Sequence, residues 1–341
     1  MLDKPRLKTY LTIFPISSTA WGLRGGEHEL WRLDLKNERA LAVFGAVLPH
    51  LTGERSRPEI QQAVAEQGIT AGEVDQLIVG LAQRGLLEEG DGARLPAEVE
   101  ERFSHQISFF SRFSDQGGAG HQRRLIESTV TLVGEGALAG ALGRQLEGAG
   151  IGGVRRLELA GGGRPALLAG EGLPKDSQEL VLVTQEGFDP ELVEAINGFA
   201  LERRFPWLLV RILSLREAAI GPFFLPGSTA CLQCLEAREA SHRGSFDEHR
   251  ALAERLREIG QGGARCGGLQ PFFEAVAGIA ATEVVKFLTD FAAVELAGRY
   301  LTFELGRWRA EPHEVLRLPR CAFCHPLTPE AHPWKEVTYG K

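Results

Sequence analysis

No apolar run in the chain approaches the roughly 20 residues that a membrane-spanning helix needs. The stretch Tyr10-Leu11-Thr12-Ile13-Phe14-Pro15 is too short and too β-branched for a signal peptide, and Pro15 interrupts it. A basic stripe is also missing. With 38 Lys and Arg against 45 Asp and Glu, the formal net charge is −7. That balance is mild and of the wrong sign for neutralising phosphates, so nucleic acid is not an expected partner. Cysteine is scarce, five in 341 residues. The number and spacing argue for a reducing cytoplasm and against an oxidised secreted scaffold. No internal repeat is visible. The length allows two domains, each with its own core.

Four of the five cysteines fall in two knuckles, Cys231-Leu-Gln-Cys234 and Cys321-Ala-Phe-Cys324. Each Cys-x-x-Cys presents two thiolates from one tight turn, and two such turns complete the tetrahedral sulfur shell that Zn2+ prefers. Pro226-Gly227 leads into the first, and Pro319 and Pro326 bracket the second. The alternatives are two disulfides or two unrelated buried pairs. A four-thiolate shell leaves no position for water or substrate. The metal is therefore expected to be structural, tying a mid-chain loop to the C-terminal region.

Residues 1–92 read as one module. Alternation from Leu23 to Leu33 predicts a hairpin turning at Gly25-Gly26. Three helical patterns follow. The first starts from Asn37 as N-cap, with Leu41, Phe44, Val47, Leu48 and Leu51 on one face. The second follows Ser56-Arg57-Pro58-Glu59 and carries Ile60 and Val64. The third opens on the capping-box pattern Thr70-Ala71-Gly72-Glu73 and puts Val74, Leu77, Ile78 and Leu81 on one stripe, ending at Arg84-Gly85. Strands with three short helices suggest a winged-helix-like module, a form that often binds DNA. Here Glu73, Asp75 and Gln76 occupy the exposed side of the third helix, with Arg84 the one positive group near its end, and phosphates would be repelled. The favoured use is a peptide groove, in which a strand edge beside an apolar helix accepts an extended segment as an added strand. The alternative is that the stripe packs only on its own core.

Residues 93–128 read as a connector, charged and then aromatic from Arg102 to Phe110, with Gly117-Gly118-Ala119-Gly120 as a flexible loop. Residues 129–330 read as an α/β domain, with 331–341 as a tail. The strand Thr129–Val133 runs into Gly134-Glu135-Gly136-Ala137-Leu138-Ala139, a Gly-x-Gly-x-x-Ala turn that can bring backbone close to a phosphate at a helix N-terminus. The next strand should end in an acid to grip a ribose; it ends in Ala160-Gly161-Gly162-Gly163. Gly134, Gly136 and Ala139 are therefore read as a vestigial nucleotide loop. Glu179–Thr184 and Trp207–Ile212 are expected as further parallel strands around a helix from Pro190 to Glu202. Beyond them come an extended arm, Ile220–Gly227, a charged helical stretch from Cys234 to Ile259, a glycine-rich loop holding Cys266, and a helix from Pro271 to Leu288. Arg299–Leu305 and His313–Leu318 are expected as late strands.

In this order the strand and Gly turn, the Pro-Gly-x-x-x-Cys-x-x-Cys at 226–234, the Cys266 to Pro271 loop and helix, and the C-terminal Cys-x-x-Cys resemble the ThiF-like fold of adenylating enzymes. Those enzymes activate ubiquitin-like and sulfur-carrier proteins. The resemblance covers about residues 100–327, and Arg102–Ile107 resembles the family's opening helix, with His105 where an arginine is usual. Adenylating members grip ATP through an Asp ending the second strand and an Arg/Asn-bearing helix after it. Gly161-Gly162-Gly163 takes the first place and a short Pro/Gly segment the second, so ATP is not expected to be used by this chain. Cys266 falls roughly where related enzymes place a thioester-forming cysteine.

An inactive ThiF-like domain behind a winged-helix module resembles the leader-peptide-binding partner proteins of azoline-forming cyclodehydratases, which make thiazole- and oxazole-modified ribosomal peptides such as bacteriocins. There a module similar to PqqD, the RiPP recognition element, binds the precursor's leader between its third strand and third helix, and a separate YcaO-type enzyme uses ATP to form the rings. Carried onto this chain, the resemblance implies a groove between Glu29–Leu33 and Val74–Arg84. His28, Glu29, Leu30, Trp31, Arg32 and Leu33 would line one side, and Val74, Leu77, Ile78, Leu81 and Arg84 the other. Which strand face is exposed stays open, because Leu30 and Trp31 are both apolar. The expected partners are a leader peptide, a YcaO-type enzyme and a second copy of the chain. The rival readings are an adenylating enzyme acting on a peptide carboxylate through Cys266, and a DNA-binding regulator.

Overall fold

The computed structural model describes residues 2–35, 37–90, 95–160, 163–176, 179–242, 244–259 and 266–324. The expected tail at 331–341, Gly161-Gly162 and most of the glycine-rich loop before Cys266 lie outside them. The chain divides into two units, Met1–Ile126 with Thr289–Ala292, and Glu127–Leu288 with Ala293–Lys341.

The first unit opens with β1 (Pro5–Leu7), β2 (Thr12–Ser17), β3 (Ala20–Gly26) and β4 (Glu29–Asp34). The helices α1 (Glu38–Val47), α2 (Arg57–Ala65) and α3 (Ala71–Ala82) follow, then β5 (Leu87–Glu89). Three shorter helices, α4 (Ala97–Arg102), α5 (Ser104–Ser111) and α6 (Ala119–Glu127), complete it. β1 pairs antiparallel with β5, and β2-β3-β4 form an antiparallel sheet.

The helix starts are where local chemistry puts them. The Asn37 side chain accepts the Ala40 amide at 2.8 Å. Ser56 with Glu59, and Thr70 with Glu73, form reciprocal capping boxes that satisfy orphan N–H groups of α2 and α3. Leu23, Val47, Ile60, Val74 and Ile78 meet in one core, each no more than 1% exposed.

Two expected loops are placed differently. The hairpin turns at Glu27-His28, because Gly25 and Gly26 belong to β3. A Cβ on Gly25 would stand 2.8 Å from the Tyr10 ring, so that glycine serves close packing and not the turn. The loop expected at 117–120 is shorter, since α6 begins at Ala119; a Cβ on Gly118 would collide with the Ile107 carbonyl.

The second unit begins with β6 (Thr129–Val133), α7 (Ala137–Gly148), β7 (Gly153–Leu157), α8 (Gly163–Leu168), β8 (Leu180–Gln185) and α9 (Pro190–Arg203). It continues through β9 (Trp207–Ser214), β10 (Glu217–Phe224), α10 (Leu232–His242), α11 (Phe246–Ile259) and α12 (Gln270–Thr289). β11 (Arg299–Glu304) and β12 (Arg309–Glu314) end it. Seven strands form one mixed sheet, ordered β12-β11-β10-β9-β8-β6-β7. β7, β6, β8 and β9 run parallel, and β9 through β12 alternate antiparallel. The near-continuous apolar runs of β6, β8 and β9 fit strands covered on both faces.

Four expectations for this unit are corrected. The extended arm is β10, hydrogen-bonded to strands on both sides and buried along nearly its whole length. The charged stretch after Cys234 is two helices, α10 and α11. The last strand is Arg309–Glu314, because its register against β11 ends at Glu314, and the residues after it turn toward the first cysteine knuckle. The Pro/Gly segment after β7 contains a helix, α8, which carries Arg164.

Candidate metal centre and strand edge

The two knuckles meet. The sulfur of Cys231 lies 3.9 Å from that of Cys234 and 3.6 Å from that of Cys321, and Cys234 lies 3.6 Å from Cys324. All four sulfurs fall within 4.8 Å of one another. A tetrahedral zinc thiolate with bonds of about 2.3 Å separates its sulfurs by about 3.8 Å, so the spacing is that of a coordination shell and far longer than an S–S bond. The first knuckle opens α10: the Cys231 carbonyl accepts the Cys234 and Leu235 amides at 3.1 and 3.2 Å. The second is pulled in by the Leu318 amide, which donates to the Cys234 sulfur at 3.3 Å, and by Arg317, which donates to the Thr229 carbonyl at 2.9 Å.

Burial pushes the Cys231 thiol up and Cys324 up to about 11. At Cys321 burial is outweighed by backbone hydrogen bonds from Cys324 and Phe323, which bring it down to about 7. Soft thiolates crowded at this distance repel one another unless a cation sits among them, so the donor set is compatible with Zn2+.

The strand order reverses between β6 and β8: the chain leaves β6 through α7 for β7 on one side, and leaves β8 through α9 for β9 on the other. Open α/β sheets bind ligands outside the carboxyl ends of their strands at such a switch point. Gly134 and Gly136, at φ +136° and +95°, lead from β6 into α7 there, and Ala139 is buried in the helix's first turn. Two groups not singled out in the sequence occupy the same strand ends. Just past β8, the carboxylate of Glu186 accepts the Leu138 amide at 2.7 Å, and the residue is 8% exposed. Arg164 donates to both carboxylate oxygens of Asp189 at 2.9 Å and to Glu191 at 2.7 Å. The Asp189 bond, followed by that to Glu191, raises the guanidinium's pKa. The signal for both was position: Glu186 follows directly on the buried run of β8. The Cys266 amide donates to the Glu186 carbonyl at 2.5 Å. Its thiol is half-buried and has no hydrogen-bond partner among the described residues.

In the first unit β4 is the end strand of its sheet, with β3 on one side. The Leu35 amide donates to the Thr19 carbonyl at 2.8 Å. Antiparallel pairs alternate between bonded and non-bonded. Along the register Trp21↔Leu33, Leu23↔Trp31, the odd positions therefore bond inward, and the N–H and C=O of Leu30, Arg32 and Asp34 point to the open edge. The face question left by Leu30 and Trp31 is decided the same way: Trp31 and Leu33 pack on the core, and Leu30 is 60% exposed. His28 is in the turn, Glu29 is ion-paired with Arg112, and Arg32 with Asp34 at 2.7 Å. On α3, Val74, Ile78 and Leu81 are at most 2% exposed. They form the core and present no surface, which corrects their placement on the groove. Leu77 is half-buried against the same core, and Arg84 is exposed, donating to the Gly80 carbonyl at 2.7 Å.

Among the described residues no helix is long and apolar enough to cross a membrane. No family model matches the sequence, and no curated protein does. Solved structures of similar fold exist. The heterocyclase TruD is 22% identical at a TM-score of 0.66, over 98% of this chain and 47% of that one. A heterocyclase in complex with substrate and cofactor is 21% identical at 0.65, over 94% and 39%. E. coli MccB with AMPCPP and MccA is 15% identical at 0.62, over 94% and 99%. The chain thus spans less than half the length of the two heterocyclase chains. At these identities the likeness extends to the fold.

Proposed function

We propose that this chain presents a ribosomally made precursor peptide to a separate, ATP-using YcaO-type cyclodehydratase, and performs no ATP chemistry itself. The first unit, read as a winged-helix module similar to PqqD, takes the precursor's leader as a further strand on β4. One observation carries this: the outward backbone groups of Leu30, Arg32 and Asp34 on an end strand beside exposed Leu30. An incoming extended segment pairs its own amides and carbonyls with those three residues. Side chains on its alternate positions then reach Leu30 and, over the strand, Trp31, Leu33 and Leu77. The opposite end strand, β2, carries Pro15 and lacks that donor, so it is the poorer template.

The second unit, read as ThiF-like, is held by zinc in a closed sulfur shell that stabilises the junction of α10 with the segment after β12. Neighbours described as heterocyclases at about twice this length support a division of labour in which the remaining half supplies the ring chemistry. Cysteines in this metal-binding spacing fit a cytoplasmic protein.

The test is fluorescence polarisation with a labelled leader from the short Cys/Ser/Thr-rich peptide encoded beside a YcaO gene in the same neighbourhood. Wild type should bind at micromolar Kd or better, and Leu30→Asp should weaken binding at least tenfold with the fold intact. Equal affinity in the two proteins would defeat the assignment. A second reading, carboxyl adenylation through Cys266, draws on the likeness to MccB, a protein described with ATP bound. It requires peptide-driven ATP–pyrophosphate exchange, which needs no thiol, followed by a peptide thioester formed with release of AMP, and Cys266→Ala should abolish the thioester alone.

A further inference from the structure

A helix N-terminus at a switch point is a standing anion seat: the unpaired N–H groups and the helix dipole favour negative charge there. In this chain the α7 seat already holds an anion. The Leu138 amide, in the first turn, points at Oε1 of Glu186 at 2.7 Å. The space over Gly136 is filled by the same carboxylate, since a Cβ there would come within 2.5 Å of Oε1 and 2.7 Å of Oε2. Glu186 is 8% exposed, and no basic side chain pairs with it among the described residues. A buried carboxylate without a cation is unfavourable unless dipoles replace its water, and the α7 terminus is what replaces it. The backbone behind it is pinned by the Cys266 amide.

A positive group near these strand ends is claimed as well. Arg164, on the helix after β7, has three short bonds to Asp189 and Glu191, which open α9 directly after β8. The α7 terminus and Arg164 are therefore satisfied from one stretch of chain, residues 186–191.

We infer that Glu186 is the resident anion of the switch point and the residue that decides what binds there: its carboxylate takes the seat of a di- or triphosphate and keeps nucleotides out. On the proposed reading that this chain uses no ATP, nucleotide exclusion is thus an added interaction, not merely missing ligands. This holds whether or not β4 binds a peptide.

The experiment is isothermal titration of the full chain with inorganic pyrophosphate. Wild type should show no uptake at millimolar concentrations. Glu186→Ala, which empties the seat, should bind at least tenfold more tightly than wild type. Glu186→Gln, which keeps the acceptor for the Leu138 amide but sheds the charge, should show a smaller gain of the same sign. A carboxylate that only capped the helix would lower Tm on removal without creating pyrophosphate binding. A folded Glu186→Ala as indifferent as wild type overturns the inference, as does wild-type uptake equal to that of the variant. Should Glu186→Ala fail to fold, the absence of any gain in Glu186→Gln overturns it. Peptide affinity measured on the same variants separates this result from the β4 assignment.

Discussion

The sulfurs of Cys231 and Cys321 lie 3.6 Å apart although 90 positions separate them. The loop closed by that approach contains β11, β12 and the helices α10 to α12, so any ion bridging the two knuckles holds together most of the second unit's C-terminal half.

Metal analysis of the purified chain should find one zinc per molecule. Cys321→Ser should lower that content and reduce thermal stability, and chelator should do the same to wild type, because the free energy of metal binding is part of the folding free energy. Unchanged zinc content in Cys321→Ser would remove these cysteines as ligands.

Amide exchange should separate the two halves of β4's backbone. Trp31 and Leu33 bond inward and should be protected in the free protein; Leu30, Arg32 and Asp34 face outward and should exchange fast. Leader peptide should protect the second set. Arg32→Pro removes one outward donor while leaving the inward ladder whole, and should cost at least tenfold in peptide affinity. Protection appearing elsewhere, with those three amides unchanged, would move the binding site off this strand.

The acid limb of the first unit's stability should depend on Glu73. Two bonds from Arg39, then the Thr70 amide and hydroxyl, hold its carboxyl down to about 2. A carboxylate depressed on folding stabilises above its unfolded value of about 4.5, and that contribution fades as pH falls toward about 2. Urea midpoints between pH 5 and pH 2 should drop more steeply in wild type than in Glu73→Gln; parallel curves would show the pair contributes nothing.

Ile78 and Leu77 should behave differently although they are adjacent on α3. Ile78 is 1% exposed, and Ile78→Ala should destabilise the unit by about 2–5 kcal/mol in denaturant titration. Leu77→Glu should leave more of the stability in place and weaken peptide binding, since Leu77 is half-buried at the core's margin.

Local rules were legible where the chemistry is local. The capping boxes at Ser56 and Thr70, the Asn37 cap, the buried runs of β6 and β8 and the two knuckles all follow from residues within a few positions of one another. Gly221 and Pro222 interrupt the pattern over β10, so its sequence alone reads as an arm; pairing with β9 on one side and with the distant β11 on the other makes it a strand. Gly25 suggested a turn because glycine permits one, whereas the Tyr10 ring packed on it is invisible to spacing.

By itself the sequence determined the two cysteine knuckles that meet and the existence of the Gly turn, since both are short patterns whose geometry comes from the backbone around them. Only the tertiary structure decided that Glu186 stands in that turn, that Arg164 is taken by Asp189 and Glu191, and that Leu30 and not Trp31 faces outward. Those outcomes depend on which strand ends and which edges are brought side by side, and sheet order is set by burial summed over the whole chain, not by any one stretch of it.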